Sequence, residues 1–113
     1  MNTKQFNALL RERQSLEREI LVTKAGEYAN DYERFANFHN AAPLQASGCT
    51  PEAALWNMVV KHIIATRDAI NQINLGITMP LPFWDEKLGD IRNYMILLEG
   101  LIKDRIEMEK KNV

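Results

Sequence analysis

The chain has 113 residues, 46% of them hydrophobic and 26% charged, with a formal net charge of −1. That is one domain's worth of chain with material for one modest core, and the composition is wrong for a disordered segment. The near-neutral balance argues against a general nucleic-acid binder, whose affinity comes mainly from neutralising phosphates. The single cysteine, Cys49, leaves no intrachain disulfide framework and no cysteine-based metal knuckle, and reads as a small residue beside a helix start.

Hydrophobic periodicity predicts four helices and no secure strand. The first covers about Thr3 to Lys24, with Phe6, Leu9, Leu10, Leu16, Ile20 and Leu21 at helical spacing and Gly26 expected to loosen or end it. The second is short, from about Asp31 to Ala42, with Phe35 and Phe38 on one face and Pro43 as its stop. Pro43 to Cys49 reads as a loop. The third has the clearest start in the chain. Thr50 is a good N-cap, Pro51 suits the first helical position and Glu52 complements the helix dipole. Its apolar stripe runs through Leu55, Met58, Val59, His62, Ile63, Ala69, Ile70 and Ile73 to a stop at Gly76.

Ile77 to Trp84 holds two prolines and reads as an extended apolar connection that packs on something or covers a pocket. The last helix is expected from about Phe83 to beyond Glu107, with Leu88, Ile91, Met95, Leu98, Leu101 and Ile102 as its stripe. Residues 104–113 are charged and read as a frayed tail of the single domain 1–113. The fold class is therefore all-α: a compact bundle of about four helices, two long and antiparallel, with a long N-terminal and a short second helix. A core this small is expected to be completed by oligomerisation. No apolar run approaches the ~18 residues of a membrane span, and no apolar signal core follows Met1, so the expected location is the cytoplasm.

Some polar residues fall between apolar ones. On the last helix Glu86, Asp90 and Asn93 share a face that Leu97 continues, so this row is expected to point partly inward. On the third, Lys61, Asp68 and Gln72 share a face flanked by Val60 and Ile64, and two antiparallel helices could bring the rows together. Lys61 would supply a cation for phosphate, and Glu86, Asp90 and Asp68 hard oxygen donors suited to magnesium. Asn93 could orient a base edge. The alternative is two solvated helix faces with ordinary surface pairs. A second cluster comprises Lys24, Glu27, Tyr28, Arg34 and Asn37. There Arg34 could clamp a phosphate and Tyr28, Phe35 or Phe38 could stack on a base, or the aromatics could simply fill the core. His62, on the apolar stripe, reads as a core or interface histidine, and Trp56 and Trp84 as packing anchors.

These residues carry a resemblance. Lys24-x-x-Glu27-Tyr28, Arg34-Phe35-x-Asn37-Phe38, Lys61-His62 with Asp68, and Trp84-Asp85-Glu86-Lys87-Leu88-Gly89-Asp90-Ile91-x-Asn93-Tyr94 look like small phage and prophage helical proteins. These are similar to nucleotide-modification-associated domains and, more distantly, to the MazG-like all-helical nucleotide pyrophosphohydrolases. The distant resemblance implies magnesium-dependent splitting of a nucleoside triphosphate by a paired-glutamate motif and a later Glu-x-x-Asp motif. Lys87 stands where the later motif expects a ligand glutamate, although Asp90 fits, and the paired early motif is missing around Leu16-Glu17-Arg18-Glu19.

Three functions follow as expectations. The first is a phage-type protein that binds or sequesters a nucleotide or nucleotide-derived signal without catalysis, in a counter-defence role. It would use Lys24, Glu27, Tyr28, Arg34, Asn37, Lys61, Asp68 and Asn93, with Glu86 and Asp90 as magnesium ligands if a metal takes part. The second is a magnesium-dependent pyrophosphohydrolase. The third is a protein–protein inhibitor of a host enzyme, acting through the first helix and the Ile77–Trp84 connection. The first implies a nucleotide-like partner and a homo-oligomer, with neither membrane nor nucleic acid involved.

Overall fold

The computed structural model describes residues 1–28, 33–46 and 48–112, with side chains of the first helix described as far as Thr23. Helix α1 spans Thr3–Tyr28, α2 Ala36–Gln45, α3 Pro51–Ile73 and α4 Leu81–Lys111. No strand occurs among the described residues.

Local chemistry accounts for most of the helix ends. Asn2 and Gln5 open α1 as a reciprocal capping box: the Gln5 N–H donates to Asn2 Oδ1 and the Asn2 N–H to Gln5 Oε1, each at 2.8 Å. The helix then runs through Gly26 to Tyr28. A single glycine costs a helix about 1 kcal/mol without breaking it. Helix α2 starts at Ala36, after the Phe35 N–H donates to Glu33 Oε1 at 2.9 Å. The expected start at Asp31 lies outside the described residues. Pro43 sits inside α2 instead of stopping it. It removes one N–H donor, but the last turn still closes, with the Ala46 N–H donating to the Ala42 carbonyl at 3.3 Å.

Helix α3 begins as the sequence reads. Thr50 is extended (φ −81°, ψ 158°) and its Oγ1 accepts from the Ala53 N–H at 3.1 Å. Its end is a Schellman turn: Gly76 has φ 80°, the Ile77 N–H donates to the Gln72 carbonyl and the Gly76 N–H to the Ile73 carbonyl, both at 3.0 Å. Helix α4 starts at Leu81, so only the stretch before it remains a connection. Pro80 serves as N-cap and Pro82 falls in the first turn, where a missing N–H costs nothing. The Trp84 indole N–H holds the connection by donating to the Met79 carbonyl at 2.8 Å. The charged segment from residue 104 lies within α4 as far as Lys111, and Lys110 and Lys111 complement the dipole at its end.

Helices α3 and α4 form the main contact, α2 packs on α3, and α1 lies against α4. The pairs Glu52–Arg105 and His62–Asp90 run in opposite chain directions, so α3 and α4 are antiparallel. Arg105 clamps Glu52 with two hydrogen bonds of 2.8 Å, which hold the Glu52 carboxyl below its ordinary pKa and raise that of the guanidinium. The core is compact: Phe38, Leu55 and Leu101, with Phe35, Met58, Tyr94, Leu97 and Leu98 packed around them. Gly100 makes room for the Phe35 ring, since a Cβ there would stand 2.5 Å from Phe35 Cζ. Two ion pairs pin α1 to α4, Arg13 Nη2 to Asp85 Oδ1 at 2.6 Å and Arg92 to Glu17. No helix among the described residues is long and apolar enough to cross a membrane.

Candidate functional site

All four helices contribute to one cavity of about 430 Å³. Ile20 and Leu21 of α1, Phe38 and Ala41 of α2, Met58 of α3 and Leu97 of α4 give it apolar walls. Arg34, Asn37, Asp90, Asn93 and Tyr94 add polar groups. That mixture, apolar walls with a few convergent polar atoms, and that size are those of a small-molecule site.

Each polar residue is placed by its helix. Arg34 lies in the turn leading into α2 and donates from Nη2 to the Leu21 carbonyl at 3.1 Å, which fixes the guanidinium against α1 about two turns before its end. This bond uses one of its five N–H donors. Asn37 follows in the first turn of α2. Asp90 and Asn93 lie on the inward face of α4, and Asn93 is only 7% exposed. The side-chain oxygens of Asn37 and Asn93 are both buried and neither has a hydrogen-bond partner. Nδ1 of His62 is buried without a hydrogen bond too, 3.7 Å from Asp90 Oδ2, with its ring centroid 5.7 Å from that of Tyr94. Three polar groups in or beside one cavity thus lack the partners that buried polar atoms ordinarily have.

The structure brings Arg34, Asn37, Asp90 and Asn93 together from the two clusters named in the sequence. The α3 row does not join them. Lys61, Asp68 and Gln72 are exposed, and Asp68 pairs with its neighbour Arg67 at 3.2 Å. Glu86 is exposed beside Lys87, 3.9 Å away. Lys24, Glu27 and Tyr28 occupy the last turns of α1, and their side chains lie outside those described. From α3 the site receives Met58, with His62 beside Asp90. The sequence signal for these was their i, i+4 spacing on the inward side of α3, which His62 shares with an apolar stripe and so with a core role. Tyr94 was visible as the residue one turn beyond Asp90.

Among the described residues no three His, Cys, Asp or Glu side chains gather as a metal-binding group. Asp90 is the single carboxylate among the described cavity-lining residues. A second hollow of about 700 Å³ lies between α2 and the end of α4. Its walls carry Glu33, Glu52, Asp104 and Glu109, and its one arginine, Arg105, is already engaged by Glu52. No family model, no curated protein and no solved structure matches the chain.

Proposed function

We propose that the four-helix cavity binds a nucleotide or nucleotide-derived small molecule and holds it without cleaving it. The observation that carries this reading is the pair of buried amide oxygens without a hydrogen-bond partner, those of Asn37 and Asn93, in the wall of a cavity that Arg34 also lines. A buried polar atom left without a partner costs about 1–3 kcal/mol, and a ligand that supplies the missing donors recovers that cost. A nucleobase edge has donors and acceptors at the spacing a carboxamide reads, and the two asparagines can present either end of the amide. Phe38, Met58 and Leu97 offer apolar contact to a flat ring. Arg34 is the cation for a phosphate, with the planar fork that suits it. A cavity of about 430 Å³ falls within the usual range for such ligands.

Retention without turnover fits the donor set. Cleavage of a phosphoanhydride calls for an activated water and neutralisation of the charge that develops on the phosphates, whereas binding calls for shape, paired hydrogen bonds and exclusion of water, and the described lining is mostly apolar with two amides, one guanidinium and one carboxylate. Calorimetric titration of nucleotides into the protein and into Arg34→Ala, Asn37→Ala and Asn93→Ala tests the reading. Each substitution should weaken binding of the same ligand by about ten-fold or more, the scale of one lost hydrogen bond to a charged or buried partner. Unchanged affinity in all three folded variants would remove the cavity from consideration. Magnesium-dependent release of pyrophosphate would replace retention by hydrolysis.

A further inference from the structure

Many large apolar side chains remain on the surface, and six of them are spaced by heptads. Trp56, Ile63 and Ile70 recur every seven residues on α3, and Leu88, Met95 and Ile102 do so on α4. Each is between 37% and 52% exposed. At about 100° per residue, Ile63 lies about 140° round α3 from Met58, and Met95 about 160° round α4 from Leu97. Met58 and Leu97 line the cavity, so both stripes turn away from it. Because α3 and α4 are antiparallel, opposite senses of rotation put the two stripes on the same flank of the helix pair. Val59, Thr66, Ile91 and Leu98 fill the space between them, and none is charged.

We infer that this flank is the contact between two copies of the chain, which stack their α3–α4 pairs into a four-helix interface. The area approaches what such a contact needs. Each stripe spans about 22 Å, so a strip two helices, about 20 Å, wide covers about 450 Å² in projection, and the relief of its side chains and the polar rim around it raise the accessible area further. A stable protein–protein contact buries about 800 Å² per partner. The monomer alone would present an apolar patch of the size of the largest on soluble monomers, about 300–600 Å², which are often functional. The face also suits a copy of itself. A two-fold axis lying in the face sets every helix on an antiparallel neighbour, and no charge has to be desolvated at its centre.

Sedimentation equilibrium of the full chain should give a dimer at micromolar concentration. The double variant Ile63→Glu with Met95→Glu should halve that mass while circular dichroism stays helical. A photo-crosslinking residue in place of Met95 should yield covalent dimers, and the same residue in place of Lys61 should not. The second measurement stands even if the charged variant fails to fold, because it alters one exposed position at a time. A monomeric wild type, a double variant that stays dimeric, or equal crosslinking from both positions would each overturn the inference.

Discussion

The two helical glycines of α4 should respond oppositely to the same added methyl group. In an open helix interior, Gly→Ala gains about 0.5–1 kcal/mol from reduced backbone freedom in the unfolded chain. Gly89 meets that condition: a Cβ there finds only Arg92 Nη2, at 4.0 Å. Gly89→Ala should therefore stabilise by about 0.5–1 kcal/mol, or raise Tm by a few degrees for a domain of this size. At Gly100 the same Cβ would stand 2.5 Å from Phe35 Cζ, with Cε1 and Cε2 at 3.3 and 3.4 Å. The ring must move, and it packs on the Phe38–Leu55–Leu101 core. Overpacking of this kind costs about 1–3 kcal/mol, which exceeds the helix gain. Gly100→Ala should thus lose about 0.5–2 kcal/mol net. Urea unfolding of both variants beside the wild type, at one protein concentration, reads the two signs directly. Equal stabilisation by both substitutions would refute the close approach of Phe35 to α4.

Three further outcomes follow from the same geometry. Asn93→Leu removes a buried amide whose oxygen has no partner and puts a side chain of similar size in its place, so the ligand-free protein should be unchanged or more stable by up to about 1 kcal/mol, while ligand-induced stabilisation is lost; paired melting curves with and without ligand measure both. Glu52 has its pKa lowered by Arg105, so its contribution is present above the unfolded carboxyl range and disappears as pH falls through the folded value; the stability difference between wild type and Glu52→Gln should shrink below about pH 4.5. Thr50→Ala removes the cap of α3 and should cost about 1 kcal/mol in denaturant unfolding, whereas Thr50→Ser should cost little.

Helix number, class and the strongest boundaries were readable because they depend on local chemistry. Thr50-Pro51-Glu52 and Gly76 act within a few residues of themselves, and both do in the fold what their residue types imply. Pro43 suggests a stop, and Gly26 a loosening or an end, because both weaken a helix, but neighbouring turns carry α2 and α1 past them. Leu81 and Pro82 looked like linker because proline was counted against the helix, when the first turn tolerates it. Of the polar rows, Asp90 and Asn93 could be assigned inward because Leu97 continues their face. Lys61 and Asp68 had equally regular spacing, and spacing alone does not tell which flank of α3 another helix covers. Periodicity marked Ile70, Leu88, Met95 and Ile102 as apolar positions without saying whether this chain or another copy would bury them.

The most direct test of the binding account is thermal melting of the purified protein against nucleotides, deoxynucleotides, cyclic oligonucleotides and ADP-ribose derivatives, followed by heat release and chromatography of whatever bound. Tight binding raises Tm by mass action, by about 2.7 kcal/mol of stability when ligand stands at a hundred times its Kd. The account predicts at least one ligand that stabilises the wild type, is returned intact, and does not stabilise Arg34→Ala or Asn93→Ala. No stabilisation by any member of the panel, or a ligand returned cleaved, would contradict it.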